Sequence, residues 1–174
     1  MKKIYLLVFF LLIFSLSSNT SFAKEISPTP TPQINYELPY PGLLPDSPLY
    51  FLRVIRDKTV DFLISDPLKK AEFDLLQADK RLNAGISLFS KGKISLALST
   101  ISKAENYFKQ SIEKVLEAQK QGMDIKDIER RLINAVVKHQ VELDKLFKKV
   151  DKDFKANFAK EQKRVADFQE RLNK

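Results

Sequence analysis

The chain has 174 residues, with 30 Lys and Arg against 22 Asp and Glu for a formal charge of +8, and it carries one His, no Cys and no Trp. That length suits one domain and is short for two; the lack of Cys excludes disulfides, thiol redox chemistry and a lipid-bearing N-terminal cysteine. The excess of positive charge inclines the chain toward anionic surfaces without selecting one.

Lys2 and Lys3 precede an apolar run from Ile4 to Leu16, and Ser21-Phe22-Ala23 places small residues at the −3 and −1 positions of a signal-peptidase site. As a helix that run would cover only about 20 Å of a hydrocarbon core about 30 Å thick. The expectation is a signal peptide over residues 1–23 and export to the periplasm, the cell wall or the medium, with an uncleaved anchor as the alternative. Loss of Lys2 and Lys3 lowers the formal charge from +8 to +6.

Residues 24–47 read as a Pro-rich linker, because Ser27 to Ser47 holds six of the eight prolines. Ser27-Pro28-Thr29-Pro30-Thr31-Pro32 is a stiff polyproline spacer, since alternating Pro fixes φ and removes backbone donors. The second half carries Tyr36, Leu38, Tyr40, Leu43 and Leu44, too apolar for a spacer. These residues are expected either to lie against the domain or to dock a partner.

Residues 48–174 form the predicted domain. Ser47-Pro48 and Asp66-Pro67 each place a capping side chain before a proline suited to a helix's first turn. A first helix is expected from about Pro48 to Ile64, with Leu52, Ile55 and Phe62 on one face, and a second from Pro67 to Ser90, stopping at Gly92. A third runs from about Lys93 to Gln121. In the second helix Leu68, Leu75, Leu82 and Phe89 recur every seven residues, with Ala71, Ala78 and Gly85 three positions after the first three; in the third, Ile94, Ile101, Phe108 and Val115 are followed by Ala97, Ala104, Ser111 and Ala118. A seven-residue period with one small residue per heptad predicts a tight, coiled-coil-like antiparallel hairpin.

From Asp124 to Leu172 there is neither Pro nor Gly, so an uninterrupted fourth helix would be about 70 Å long. Its apolar stripe outruns the hairpin. Either the helix breaks near Asp151 to Asp153 and folds back as a fifth, or it projects; projection is the expectation, because nothing in the sequence marks a stop. The overhang residues Phe154, Phe158, Val165, Phe168 and Leu172 then form a candidate partner surface for an envelope protein or a second copy. The opposite face carries Lys138, Lys145, Lys149, Lys152, Lys160 and Lys163, candidate contacts to anionic lipid or wall polymer, although interleaved acids make a solvated face the plainer reading. Nucleic acid is not expected, since the aromatics are buried by phase and the chain is read as exported.

No catalytic, cofactor or metal motif stands out. His139 falls in the apolar row of the fourth helix and has no His three or four residues away to make a ligand pair. It reads as a satisfied, buried histidine. Glu105 and Asp79 fall near apolar seams, where a salt bridge is the ordinary explanation.

Leu44-Pro45-Asp46-Ser47-Pro48-Leu49-Tyr50-Phe51-Leu52-Arg53, then Asp66-Pro67-Leu68-Lys69-Lys70-Ala71-Glu72 and Ala78-Asp79-Lys80-Arg81-Leu82, resembles a prokaryotic family of domains of unknown function. Its members pair a signal peptide or membrane segment with a Ser-Pro-x-Tyr helix start and a second helix bearing Lys-Ala-Glu and Arg-Leu. Where that pattern has an acid after Arg-Leu, this chain has Asn83 and Ala84. The resemblance spans about Pro41 to Ala84; it implies an extracytoplasmic helical domain and no activity. Read from the residues alone, Tyr50 and Leu52 pack and Arg53 is solvated.

The sequence thus predicts an all-α antiparallel bundle of four or five helices behind a Pro-rich linker. It is expected to act by protein interaction or as a structural element of the cell envelope, with anionic-surface binding as the alternative, and without enzymatic chemistry or cofactor.

Overall fold

In the computed structural model, which describes residues 35–173, the chain forms five helices: α1 Tyr50–Leu63, α2 Pro67–Ser90, α3 Ile94–Lys120, α4 Lys126–Lys149 and α5 Lys152–Leu172. The apolar run, the cleavage site and the first prolines lie outside the described residues. No described helix is long and apolar enough to cross a membrane.

Local chemistry sets both ends of α2 and the end of α3 where the sequence placed them. Asp66 caps α2 by accepting from the Lys69 amide at 2.9 Å, with Pro67 in the first turn. Both α2 and α3 close with the same pair of bonds: Lys93 N to Leu88 O with Gly92 N to Phe89 O, and Met123 N to Ala118 O with Gly122 N to Gln119 O. Each needs a left-handed residue, supplied by Gly92 at φ +74° and Gly122 at φ +76°. Helix α1 starts two residues later than its Ser-Pro predicts, because Ser47 Oγ accepts from Leu49 N in a turn and leaves the helix uncapped.

The α2–α3 hairpin is the closest contact in the molecule's helical bundle. Ala71, Leu75, Ala78 and Leu82 meet Ala97, Ile101, Ala104 and Phe108, and every one of them is fully buried. Ser111 Oγ donates to the Ala71 carbonyl at 2.7 Å, so its hydroxyl is satisfied inside the seam. At Gly85 a Cβ would stand 2.5 Å from Ile101 Cγ1 and 3.3 Å from the Ala97 carbonyl. Backbone contact this close requires the small residues that the heptad pattern supplies.

The projecting fourth helix is overturned. Val150 and Asp151 are extended, with ψ of 147° and 157°, and α5 turns back onto the bundle. Phe158 meets Phe89 edge-on at 5.9 Å, Phe168 stacks on Phe108 at 5.5 Å, and Arg164 reaches Asn106 Oδ1 at 2.7 Å. Phe158, Val165 and Phe168 are core residues, with Phe154 and Leu172 packed at its margin. Burying a large apolar side chain stabilises by roughly 1.5–3 kcal/mol, whereas interrupting one helix forfeits a few hydrogen bonds worth about 1 kcal/mol each. Folding back wins.

Gly85→Ala is expected to destabilise the protein by about 1 kcal/mol in urea unfolding, because overpacking of about 1–3 kcal/mol against Ile101 exceeds the roughly 1 kcal/mol gained in helix propensity. A stabilised variant would contradict the close seam.

Candidate functional site

Residues 35–49 lie along α2 before α1 begins. Tyr36 Oη donates to Asp79 at 2.6 Å, Asn83 Nδ2 donates to the Pro39 carbonyl at 2.9 Å, and Asp46 pairs with Lys91 and Lys93 beside the hairpin turn. Tyr36 and Leu38 pack on the core as expected, but Tyr40 and Leu43 are exposed. Asn83 thus fastens this segment to α2.

Helix α1 reverses the expected polarity. Its buried residues are Arg53, 6% exposed, and Asp57, 4% exposed, while Leu52, Ile55 and Phe62 face outward at 52%, 58% and 87% exposed. The expectations that Leu52 packs and Arg53 is solvated are both corrected. The physical reason lies on α2, whose Lys70, Asp74, Gln77 and Arg81 recur at helical spacing beside the apolar seam. Asp57 sits 3.6 Å from Arg53 Nε and 3.5 Å from Arg81 Nη2, and Asp61 pairs with Lys70 farther along. Arg53 Nη1 also donates to the carbonyls of Pro41 and Leu43. Arg81 lies over the Tyr107 ring, 4.2 Å from its centroid. A charged surface on α2 binds the charged face of α1, and the apolar face is left to solvent.

Under that seam Asp74 is buried with neither carboxylate oxygen hydrogen-bonded, and burial pushes its pKa up to about 6. On the other side of α2, His139 is fully buried, with Nδ1 3.0 Å from Glu105 Oε1 and Nε2 3.1 Å from Asp79 Oδ1. Burial alone would lower its pKa, but the Glu105 charge and hydrogen bonds to Asp79 and Glu105 prevail and raise it to about 9. The imidazolium thus joins α2, α3 and α4, and Tyr36 extends the chain of bonds through Asp79. His139 and Glu105 are wholly enclosed, and Asp79 nearly so.

The predicted sites do not assemble. Phe154, Phe158, Val165, Phe168 and Leu172 belong to the core or its margin, so the partner surface assigned to them is withdrawn. Lys138 and Lys145 both pair with Glu142 at 2.9 Å. Lys149, Lys152, Lys160 and Lys163 are exposed but divided between α4 and α5, and the break at Asp151 removes the single helical face that was to align them. The outward face of α1 is the surface that sequence reasoning misassigned. Its signal was the polar row Lys70-Asp74-Gln77-Arg81, which marks a second, charged contact face on α2.

The DUF5667 family, described as a domain of unknown function, matches residues 42–173. The chain belongs to this family. The match takes in all five helices, far beyond the segment from Pro41 to Ala84 on which the resemblance rested. No curated protein and no solved structure matches the chain.

Two pH predictions follow from the buried charges. His139 is held above its ordinary value, so its stabilisation is complete below about pH 6.5 and is lost as pH rises through about 9. Urea unfolding is expected to show stability falling by roughly 3 kcal/mol over that window, and His139→Ala, which strands Asp79 and Glu105, is expected to cost about 3–5 kcal/mol at pH 7. Asp74 is also raised, in a lower window: its folded form holds a proton up to about pH 6, so stability falls as pH rises from about 4 to 6. Asp74→Asn is expected to stabilise by about 1–2 kcal/mol at pH 7 and by nothing measurable near pH 4.

Proposed function

We propose that the protein is an exported, non-enzymatic binding module of the cell envelope, held on a Pro-rich tether, and that its working surface is the outward face of α1. In this reading α2 to α5 form an up-and-down antiparallel four-helix bundle, and α1 is strapped across it by its charged face. The prokaryotic, extracytoplasmic setting rests on Lys2-Lys3, the apolar run to Leu16 and the Ser21-Phe22-Ala23 site.

One observation carries the reading. Helix α1 spends Arg53 and Asp57 on the bundle and leaves Phe51, Leu52, Ile55, Phe62 and Leu63 exposed on a single arc. A contiguous exposed apolar face of this kind marks an interaction site, because leaving it in water forfeits burial worth roughly 1.5–3 kcal/mol per side chain. The full burial of His139 and Glu105 favours a structural role for that cluster over a rival site.

The test is association of the full chain with isolated cell envelopes. Ile55→Glu with Phe62→Glu is expected to lower the envelope-bound fraction about tenfold while unfolding shifts by less than about 0.5 kcal/mol, since both positions are exposed. Lys152→Glu with Lys160→Glu is expected to leave association unchanged. The opposite pattern would transfer the working surface to the C-terminal lysines.

A further inference from the structure

Where the chain turns into α1, a cavity of about 320 Å³ opens, lined by Tyr40, Gly42, Leu52, Arg53, Arg56 and Lys80 among others. Its volume is that of a small-ligand cleft. Three cations line it and no carboxylate does. The neighbouring Asp57 is already shared among Arg53, Arg56 and Arg81, so positive charge is in excess. Lys80 forms no ion pair among the described residues. Arg53 is more than nine-tenths buried; its Nη1 is occupied by the Pro41 and Leu43 carbonyls, and its Nη2 has no acceptor in the protein. Nη2 is closed off from solvent, so Arg53 adds its charge from behind the cavity wall while Arg56 and Lys80 are the cations at its surface.

The geometry fixes what else the ligand carries. Leu52 lines the cavity and also belongs to the exposed apolar arc of α1 that continues through Ile55 and Phe62. Tyr40, exposed at the cavity rim, adds an amphipathic ring of the kind that settles at headgroup level. A phosphate held by Arg56 and Lys80, over the buried charge of Arg53, would therefore have an apolar surface running away from it. An apolar helix face with a cationic edge is the pattern of a helix lying in a bilayer interface.

We propose that the Arg53–Arg56–Lys80 cavity binds the phosphate of an anionic phospholipid, and that the outward face of α1 lies in the acyl boundary of the same bilayer. This rests on the reading of α1 as the working surface and names what that surface meets. A protein partner fits less well, since the face is convex helix beside a cation cluster.

The chain contains no Trp, so Phe62→Trp places a single reporter on α1. In the full-length protein with phosphatidylglycerol vesicles, its emission is expected to shift to the blue and to be quenched by brominated acyl chains; with phosphatidylcholine vesicles neither is expected. Attachment through Ile4 to Leu16 does not by itself move a reporter on α1. Adding Arg56→Glu and Lys80→Glu is expected to lower partitioning of α1 roughly thirty-fold or more, and rising salt is expected to weaken it; circular dichroism confirms that the variant remains folded. An unshifted reporter on phosphatidylglycerol, an equal shift on phosphatidylcholine, or a charge variant that binds like its parent overturns the proposal. Inorganic phosphate at millimolar concentration is the second arm: thermal stabilisation by it, with no response to vesicles, would assign the cavity to a soluble phosphate ligand instead. If lipid fails while Ile55→Glu with Phe62→Glu still releases the protein from envelopes, only the lipid assignment falls. If that variant stays bound as well, the reading of α1 falls with it.

Discussion

The burial of Arg53 and Asp57 against Arg81 governs how the rest of the molecule presents itself. A helix has a limited circumference, and the arc that carries its charges here is also the arc that meets α2. Once the guanidinium of Arg53 is held by the Pro41 and Leu43 carbonyls and Asp57 lies among three arginines, Phe51, Ile55 and Phe62 have nowhere to go but outward. A buried ion seam is weak as a source of net stability, because desolvation offsets much of the attraction. Its effect is orientation: the alternative docking of α1, apolar side down, would strand Arg81 without Asp57.

The bundle itself rests on different physics. Close approach of α2 and α3 depends on Ala71, Ala78, Gly85, Ala97 and Ala104, and the large residues between them fill the space to α4 and α5. The His139 cluster fixes the relation among these helices, since one ring bonds to Asp79 on α2 and to Glu105 on α3. Tyr36 then ties the approaching chain to the same aspartate. The segment preceding α1 is therefore fastened to the core at Tyr36, at Asn83 and at Asp46, and α1 starts from a fixed point. That anchoring is what places Pro41 and Leu43 where Arg53 can reach them.

The family match over residues 42–173 covers the bundle and α1 together. The inside-out helix thus belongs to the same structural unit as the core that supports it. Stability is supplied by the seams of α2 to α5, while α1 contributes little apolar burial and keeps its outer face available.

The sequence by itself determined the helical class, the ends of α2 and α3, and the small-and-large seam between them, because caps, glycines and heptad spacing act within one helix or one hairpin. It also located His139, Asp79 and Glu105 near the core, though not their meeting. Only the tertiary structure decided which face of α1 is buried, since that depends on the charged row Lys70 to Arg81 arriving from another helix, and on carbonyls from a loop. The break at Val150 and Asp151 was one of two outcomes the sequence allowed, and only packing chose it: no Pro or Gly stands there, and the helix turns because Phe158, Val165 and Phe168 gain more by packing on Phe89 and Phe108 than the chain loses by interrupting its hydrogen bonds. Local signals fix where helices can begin and end, and burial shared between distant segments selects among the arrangements they allow.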